Sequence, residues 1–152
     1  MAGTVTLAFL HHAAAFAIVG VLTAELVLLR GDLTLVSARS VLRIDAAYGI
    51  AAVVLLVVGL LRVLYTEKGS AYYFHSGPFV LKLALFLIVG LLSIYPTLQY
   101  LSWRSALRAG RVPALDAAAR RRVRVVVHVE LTLLFVIMLC AAMMARGIGF
   151  FG

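Results

Sequence analysis

The chain has 152 residues, of which 64% are hydrophobic and 13% are charged, and its mean hydropathy is +1.10. This composition excludes a soluble globular domain and is typical of integral membrane proteins. The net charge of +8 is attributed to lipid headgroups and topology, and no nucleic acid is expected as a partner. The single cysteine, Cys140, excludes a disulfide within the chain.

Four apolar segments are each long enough to cross a bilayer core of about 30 Å as a helix. They cover residues 5–29, 44–65, 78–99 and 123–144. Strands are excluded as spans because the segments do not alternate with period two. The connections are short, so neighbouring helices are predicted to run antiparallel. The predicted fold class is therefore all-α, with a single transmembrane domain over residues 1–152 that forms an up-down four-helix bundle.

Basic residues are distributed unevenly between the two ends of this predicted bundle. The arginine-rich end, which holds the first and third connections, carries Arg30, Arg39, Arg43, Arg104, Arg108, Arg111, Arg120, Arg121, Arg122 and Arg124. The terminal end, which holds both termini and the second connection, carries Arg62, Lys68, Lys82 and Arg146. Cytoplasmic loops are enriched in Lys and Arg. We therefore expect a multi-pass protein of the bacterial inner (plasma) membrane with both termini on the non-cytoplasmic side.

Two adjacent histidines, His11 and His12, lie well inside the first apolar segment, roughly 10 Å from the interface. An ionisable side chain in hydrocarbon has to face the bundle interior, a partner or a cofactor. Successive residues of a helix are about 100° apart, so only one of the two histidines is expected to face a given site. We favour His12 because it aligns with Thr23 and Arg30, whereas His11 has Glu25 as a partner. The alternative is that one histidine bonds a neighbouring carbonyl and is structural.

Other polar or sulfur-containing side chains are predicted at the depth of these histidines. Arg62 ends the second segment, Lys82 begins the third, His75 lies in the connection between them, and Met143 and Met144 end the fourth. Arg62 and Lys82 can hold carboxylates, or they can extend to lipid headgroups. An imidazole with basic groups at its rim is typical of a haem site.

A second group of polar residues is predicted inside the membrane near the arginine-rich end. A glutamate in hydrocarbon needs a partner or a proton, and Glu130 has several polar residues at a similar depth. We predict one inner polar cluster, composed of Glu25, Arg43, Asp45, Tyr48, Tyr95 and Glu130. His128 is predicted either to join this cluster or to bind a second haem.

Short motifs in these segments carry a resemblance to known proteins. They are Leu10-His11-His12, Arg43-Ile44-Asp45-Ala46-Ala47-Tyr48-Gly49, Gly59-Leu60-Leu61-Arg62, Phe79-Val80-Leu81-Lys82 and Met144-Ala145-Arg146-Gly147. Over nearly its whole length the chain resembles a family of small four-span bacterial predicted membrane proteins of unknown function. More distantly it is similar to the J-type membrane protoporphyrinogen oxidase, a four-helix haem b protein, and to the copper-resistance D membrane proteins.

The distant resemblance implies haem b, with the helix-one ligand at His11 or His12 and the helix-three lysine at Lys82. The fourth helix departs from the oxidase, because His128-Val129-Glu130-Leu131 stands where the oxidase has an Asn-Glu-x-Pro motif. Haem binding therefore transfers to this chain more readily than catalysis does.

We expect a membrane-embedded haem b protein, with one or two haems, that transfers electrons or oxidises a porphyrinogen-like substrate. It is an oxidoreductase enzyme only in the second case. The candidate cofactor-binding residues are His12, His11, Lys82, His75, Arg62 and His128. The candidate metal ligands among them are His12, His11 and His128.

Two alternatives belong to other functional classes. The first is copper handling or transport, with soft ligands supplied by His11, His12, His75, Met143 and Met144. The second is a structural subunit whose polar residues only hold helices together. The expected partners are the lipid bilayer, a redox partner or small-molecule substrate, and a further copy of the chain if it forms a homo-oligomer.

Overall fold

The computed structural model describes residues 2–65, 73–149 and 151. The helices with described bounds are α1 (Ala2–Leu28), α2 (Leu35–Tyr65), α3 (Gly77–Ser102), α4 (Arg104–Arg108) and α5 (Ala117–Ala145). Helices α1, α2, α3 and α5 are each long and apolar enough to cross a membrane. The predicted fold class is confirmed, since the chain is an all-α membrane bundle with four candidate spans. Lys68, which we counted at the terminal end, lies outside the described residues.

The four long helices form a ring in which each one contacts two others. Helix α1 packs along α2, and α3 packs along α5. The contacts that join these two pairs, between α1 and α5 and between α2 and α3, are much sparser. The bundle is therefore two tight helical pairs that meet at two loose seams.

Buried positions repeat along the helices at alternating three- and four-residue spacings. In α5 the buried residues include Val123, Val127, Glu130 and Leu134. This is the spacing of left-handed helical bundles, in which one narrow stripe of each helix faces the centre. The other faces are apolar as well, and large side chains such as Phe135 are exposed there. Lipid tails cover that surface in a bilayer.

Helices α2 and α5 begin six or more residues before the apolar segments that we predicted as spans. Helix α2 starts at Leu35 because Thr34 and Ser37 cap it reciprocally: the Thr34 N–H donates to Ser37 Oγ at 2.8 Å, and the Ser37 N–H donates to Thr34 Oγ1 at 3.1 Å. Helix α5 starts at Ala117 because the Asp116 side chain accepts from backbone N–H groups of its first turn. Bonds from Ala119 and Ala118 hold the pKa of the Asp116 carboxyl below its usual range.

The segment that follows α5 returns to the start of α3. The Gly77 N–H donates to the Gly149 carbonyl at 3.0 Å, and the Phe151 N–H donates to the His75 carbonyl at 2.9 Å. Gly149 has a φ of +79°, a conformation that disfavours side chains. These bonds close the terminal end of the α3–α5 pair.

We predict that Gly149→Ala lowers the melting temperature of the detergent-purified protein. A Cβ at this position would lie 2.8 Å from Pro78 Cδ, and the positive φ adds a cost of about 1–2 kcal/mol. Gly147→Ala is the matched control, because Gly147 has a φ of +70° but nothing within 4 Å of its Cβ position. Wild type should have the highest melting temperature, Gly147→Ala a lower one and Gly149→Ala the lowest. Equal melting of the two variants would contradict the steric part of this explanation.

Candidate functional site

Three carboxylic acids are buried together in the half of the bundle near the arginine-rich end. Glu25 of α1, Asp45 of α2 and Glu130 of α5 are close enough to interact electrostatically. Glu25 and Glu130 are each only 1% exposed. We call these three residues the acid cluster. Three like charges side by side in a medium of low polarity are very costly, so the cluster needs protons or a cationic partner.

Hydrogen-bond donors from α3 serve two of the three acids. The Tyr100 hydroxyl donates to Glu25 Oε2 at 3.2 Å, and Thr97 Oγ1 donates to Asp45 Oδ1 at 2.8 Å. Both carboxyl oxygens of Glu130, and Oε1 of Glu25, are buried without a hydrogen-bond partner. A buried acceptor left unpaired costs free energy, so these oxygens mark the place where a proton or a ligand would be stabilised.

The structure corrects the predicted membership of the inner polar cluster. It brings together Glu25, Asp45, Tyr48 and Glu130. Arg43 is exposed because it lies two residues from Asp45, on the other side of α2. Tyr95 is 38% exposed because it directly precedes Pro96, which occupies the buried stripe of α3.

Sequence reasoning missed the two donors from α3. Tyr100 is completely buried, and Thr97 is half-buried beside Asp45. A signal for Tyr100 was present, since Val89, Pro96 and Tyr100 are separated by seven and four residues, as expected for one buried stripe. Extending that stripe to the end of α3 selects Tyr100 rather than Tyr95.

His12 and His128 do not face the interior of the bundle, contrary to our expectation. Both side chains are exposed, and each directs Nδ1 at a carbonyl of its own helix. His12 Nδ1 lies 2.6 Å from the Ala8 carbonyl oxygen, and His128 Nδ1 lies 2.6 Å from that of Arg124. A bond to the preceding turn satisfies an imidazole that faces lipid. His128 is therefore outside the inner cluster.

The histidine that turns inward is His11, in the half of the bundle near the terminal end. Its Nδ1 is buried and makes no well-directed hydrogen bond, although the Leu55 backbone of α2 lies close to the imidazole. Gly59 of α2 makes room for the ring, since a Cβ there would lie 3.3 Å from His11 Cε1. Arg62 of α2 and Lys82 of α3 are close enough to His11 to interact electrostatically. We call His11, Arg62 and Lys82 the basic cluster.

The two cations of this cluster are half-buried. Arg62 Nε is buried without a partner, and Lys82 Nζ lies 5.3 Å from the centre of the Phe79 ring. A cation over an aromatic face is stabilised only modestly. Neither Arg62 nor Lys82 forms an ion pair with a carboxylate among the described residues. The basic cluster is therefore suited to an anionic ligand.

The remaining candidate ligands differ in their burial. His75 is exposed in the connection before α3, and Met143 and Met144 are half-buried at the end of α5. Within the described ranges, no group of three or more His, Cys, Asp or Glu side chains is close enough together to hold a metal ion. The histidines predicted as copper ligands are thus not assembled into one such group.

A small cavity lies between the two clusters at the seam of α2 and α3. Its volume is about 160 Å³, and its walls include Ile18, Leu56, Phe86 and Val89, with Tyr48 nearest the acid cluster. An engineered apolar cavity of about this size holds one benzene molecule. The cavity is thus an apolar slot that separates a cationic site from an acidic one.

A family model described as "Predicted membrane protein (DUF2214)" matches residues 4–149, which include every residue of both clusters. The chain belongs to this family. The predicted resemblance to a family of predicted membrane proteins is confirmed. No curated protein and no solved structure matches the chain. The more distant likeness to the haem-containing oxidase and to the copper-resistance D proteins stays a prediction.

We predict that Tyr100→Phe lowers the free energy of unfolding by about 1–3 kcal/mol, because it leaves Glu25 Oε2 buried without its donor. Tyr95→Phe removes the same hydroxyl from an exposed position on the same helix and should change stability by less than about 0.5 kcal/mol. Denaturant titration of both variants in detergent, followed by circular dichroism, measures the difference. Equal losses in the two variants would show that the buried bond contributes nothing specific.

Proposed function

We propose that this membrane protein binds haem b for electron transfer, with His11 as the residue that would bind the iron. The observation that carries the proposal is the inward-facing imidazole of His11, whose buried Nδ1 makes no well-directed hydrogen bond, beside two cations that have no carboxylate partner among the described residues. We further propose that the protein resides in the inner membrane with its arginine-rich end towards the cytoplasm.

The chemistry of the basic cluster suits haem b. A haem offers an iron that accepts an imidazole nitrogen and two propionates that pair with cations. Arg62 and Lys82 are costly to bury unpaired, and two carboxylates would remove that cost. Bound haem supplies one-electron chemistry, and the protein residues hold the group and balance its charge.

A porphyrin would have to enter the bundle at the loose α2–α3 seam. The apolar slot begins about one helical turn from the basic cluster. Leu56 is three residues from Gly59, which lies against His11, and Phe86 is four residues from Lys82. At about 160 Å³ the slot is smaller than a porphyrin, so the seam has to widen on binding. The sparse contacts between α2 and α3 make this the least costly place for helices to separate.

Electron transfer is better supported than oxidation of a porphyrinogen-like substrate. An enzyme would need cationic groups for the carboxylates of its substrate in addition to those that hold the haem. The two cations near His11, Arg62 and Lys82, match in number the two propionates of one haem. The fourth helix also lacks the Asn-Glu-x-Pro motif of the oxidase that the chain resembles.

The test is an absorption spectrum of the detergent-purified protein, expressed with added haem, in oxidised and dithionite-reduced states. Wild type should show a Soret band, and His11→Ala should lose at least about nine-tenths of the haem per protein, because it removes the inward imidazole. His12→Ala is the matched control and should retain the full content, since His12 faces outward. Full haem retention by His11→Ala, or a wild-type protein without a Soret band, would overturn the proposal.

The acid cluster favours a second candidate function, the transport of protons or cations. Buried carboxylic acids inside a membrane are typical of proton relays in pumps and transporters. Glu130 is completely enclosed and has two unpaired oxygens, so its carboxyl can take up a proton or a cation without breaking a hydrogen bond.

Transport predicts that Glu130→Gln reduces proton uptake into protein-containing liposomes to the level of empty liposomes. The glutamine keeps the shape of the side chain but cannot carry the exchangeable proton. Asp32→Asn is the control, because Asp32 is exposed in the connection between α1 and α2. A pH-sensitive dye inside the liposomes reports the flux under an imposed potential. Wild-type liposomes that take up no more protons than empty ones would exclude proton transport.

A further inference from the structure

A groove lined by four arginines lies at the arginine-rich end of the bundle, outside both clusters. Its volume is about 340 Å³, and its lining residues are Arg39, Leu42, Arg43, Arg104, Leu107 and Arg108. All four arginines are exposed, whereas Leu107 is buried. The groove therefore has a cationic rim over a partly apolar floor.

The arginines form two pairs that belong to different helices. Arg39 and Arg43 are one turn apart on α2, and Arg104 and Arg108 are one turn apart on α4. Helices α2 and α4 are in contact, and Arg39 Nη2 donates across the boundary to the Leu107 carbonyl oxygen at 3.5 Å. The two pairs therefore belong to one groove.

Packing of the residues beneath the groove holds α4 in place. Trp103, which precedes α4, is buried and lies with its ring centre 5.1 Å from that of Tyr100. Leu107 is buried in the same core. The short helix is thus anchored by its apolar side, which leaves Arg104 and Arg108 at the surface. The charges of Arg104 and Arg108 therefore lie on a helix that is held in place by packing.

Among the described residues, no carboxylate lines the groove. The chain has six acidic residues, and Glu25, Asp45 and Glu130 are buried inside the bundle. At the arginine-rich end the exposed acids are Asp32 and Asp116. The Asp116 side chain already accepts hydrogen bonds from backbone N–H groups as the N-cap of α5. Like charges one turn apart repel each other, so the two arginine pairs favour an anion that comes from outside the chain.

The position of the groove identifies the class of anion. The arginines lie near the ends of two candidate spans, Leu35–Tyr65 and Gly77–Arg108, where a helix leaves the hydrocarbon core. Below them the surface becomes apolar, with Ile50 of α2 and Leu98 of α3 exposed. A ligand that fills both regions has a phosphate head and hydrocarbon tails. Guanidinium groups bind phosphate oxygens in bidentate fashion, and basic pockets between spanning helices bind anionic lipid headgroups.

We propose that this groove is a specific binding site for the headgroup of an anionic phospholipid. The phosphate lies between the two arginine pairs, and the acyl chains follow the exposed apolar faces of α2 and α3. The proposal is independent of haem binding and of proton transport, because the groove shares no residue with either cluster.

The experiment compares lipid retention by the full-length protein and its variants in native mass spectrometry, with phosphatidylglycerol and phosphatidylcholine supplied in mixed micelles. Wild type should retain phosphatidylglycerol and release phosphatidylcholine. The double variant Arg43→Gln/Arg108→Gln, which removes one charge from each pair, should bind phosphatidylglycerol at least about 20-fold more weakly, at roughly fivefold per arginine. Arg43→Lys/Arg108→Lys, which keeps the charge but loses bidentate geometry, should fall between the two.

The matched control is Arg121→Gln/Arg122→Gln, which removes the same charge from exposed positions of α5 outside the groove and should weaken binding less than twofold. Circular dichroism melting verifies that each variant is folded; if the glutamine variant is not, the lysine variant against the same control decides. Equal weakening in the groove and control variants, or equal retention of the two lipids by wild type, would overturn the proposal. Displacement of the lipid by millimolar inorganic phosphate would overturn it as well, because the ligand would then be a soluble anion.

Discussion

The hydrogen bond from Tyr100 to Glu25 crosses the centre of the bundle, and the arrangement of the four long helices depends on it. Helices α1 and α3 are diagonal partners that make no direct backbone-level contact in the described part of the chain. Inside a bilayer, lipid tails are as apolar as the helices, so burial of apolar surface does not strongly favour one rotation of a helix about its axis over another. A buried carboxyl that needs a hydrogen-bond donor favours the rotation that brings the donor to it. Asp45 and Thr97 act in the same way between α2 and α3.

Charge is sorted along the bundle axis. The acid cluster lies in one half and the basic cluster in the other, with the apolar slot between them. Neutralisation within the chain would require the two clusters to meet, and the helices hold them at different depths. Each cluster is therefore left with uncompensated polar groups, and this condition motivates both candidate functions. The basic cluster is suited to an anionic ligand, whereas the acid cluster is suited to protons or a cation.

The loose seams make these requirements compatible with a stable fold. Helices α1 and α2 pack tightly, as do α3 and α5, so each pair keeps its geometry when the seam between α2 and α3 changes. The apolar slot lies at that seam. The arginine groove lies at the same side of the molecule, between α2 and α4, on a surface anchored by Trp103 and Leu107. Lipid contact and internal chemistry thus involve the same helix, α2, at different depths.

The sequence by itself determined the number of spanning helices and the depth of each polar residue, because segment length and hydropathy act along the chain. It therefore placed Glu25, Asp45, Tyr48 and Glu130 at one level, and His11, Arg62 and Lys82 at another. Only the tertiary structure decided how each helix is rotated. Helix α1 is apolar on every side, so its hydropathy does not indicate which of His11 and His12 faces inward, and these adjacent residues differ in depth by only about 1.5 Å. Tertiary contacts show which residues face inward: Gly59 leaves room for the ring of His11, and Glu25 accepts a hydrogen bond from the Tyr100 hydroxyl.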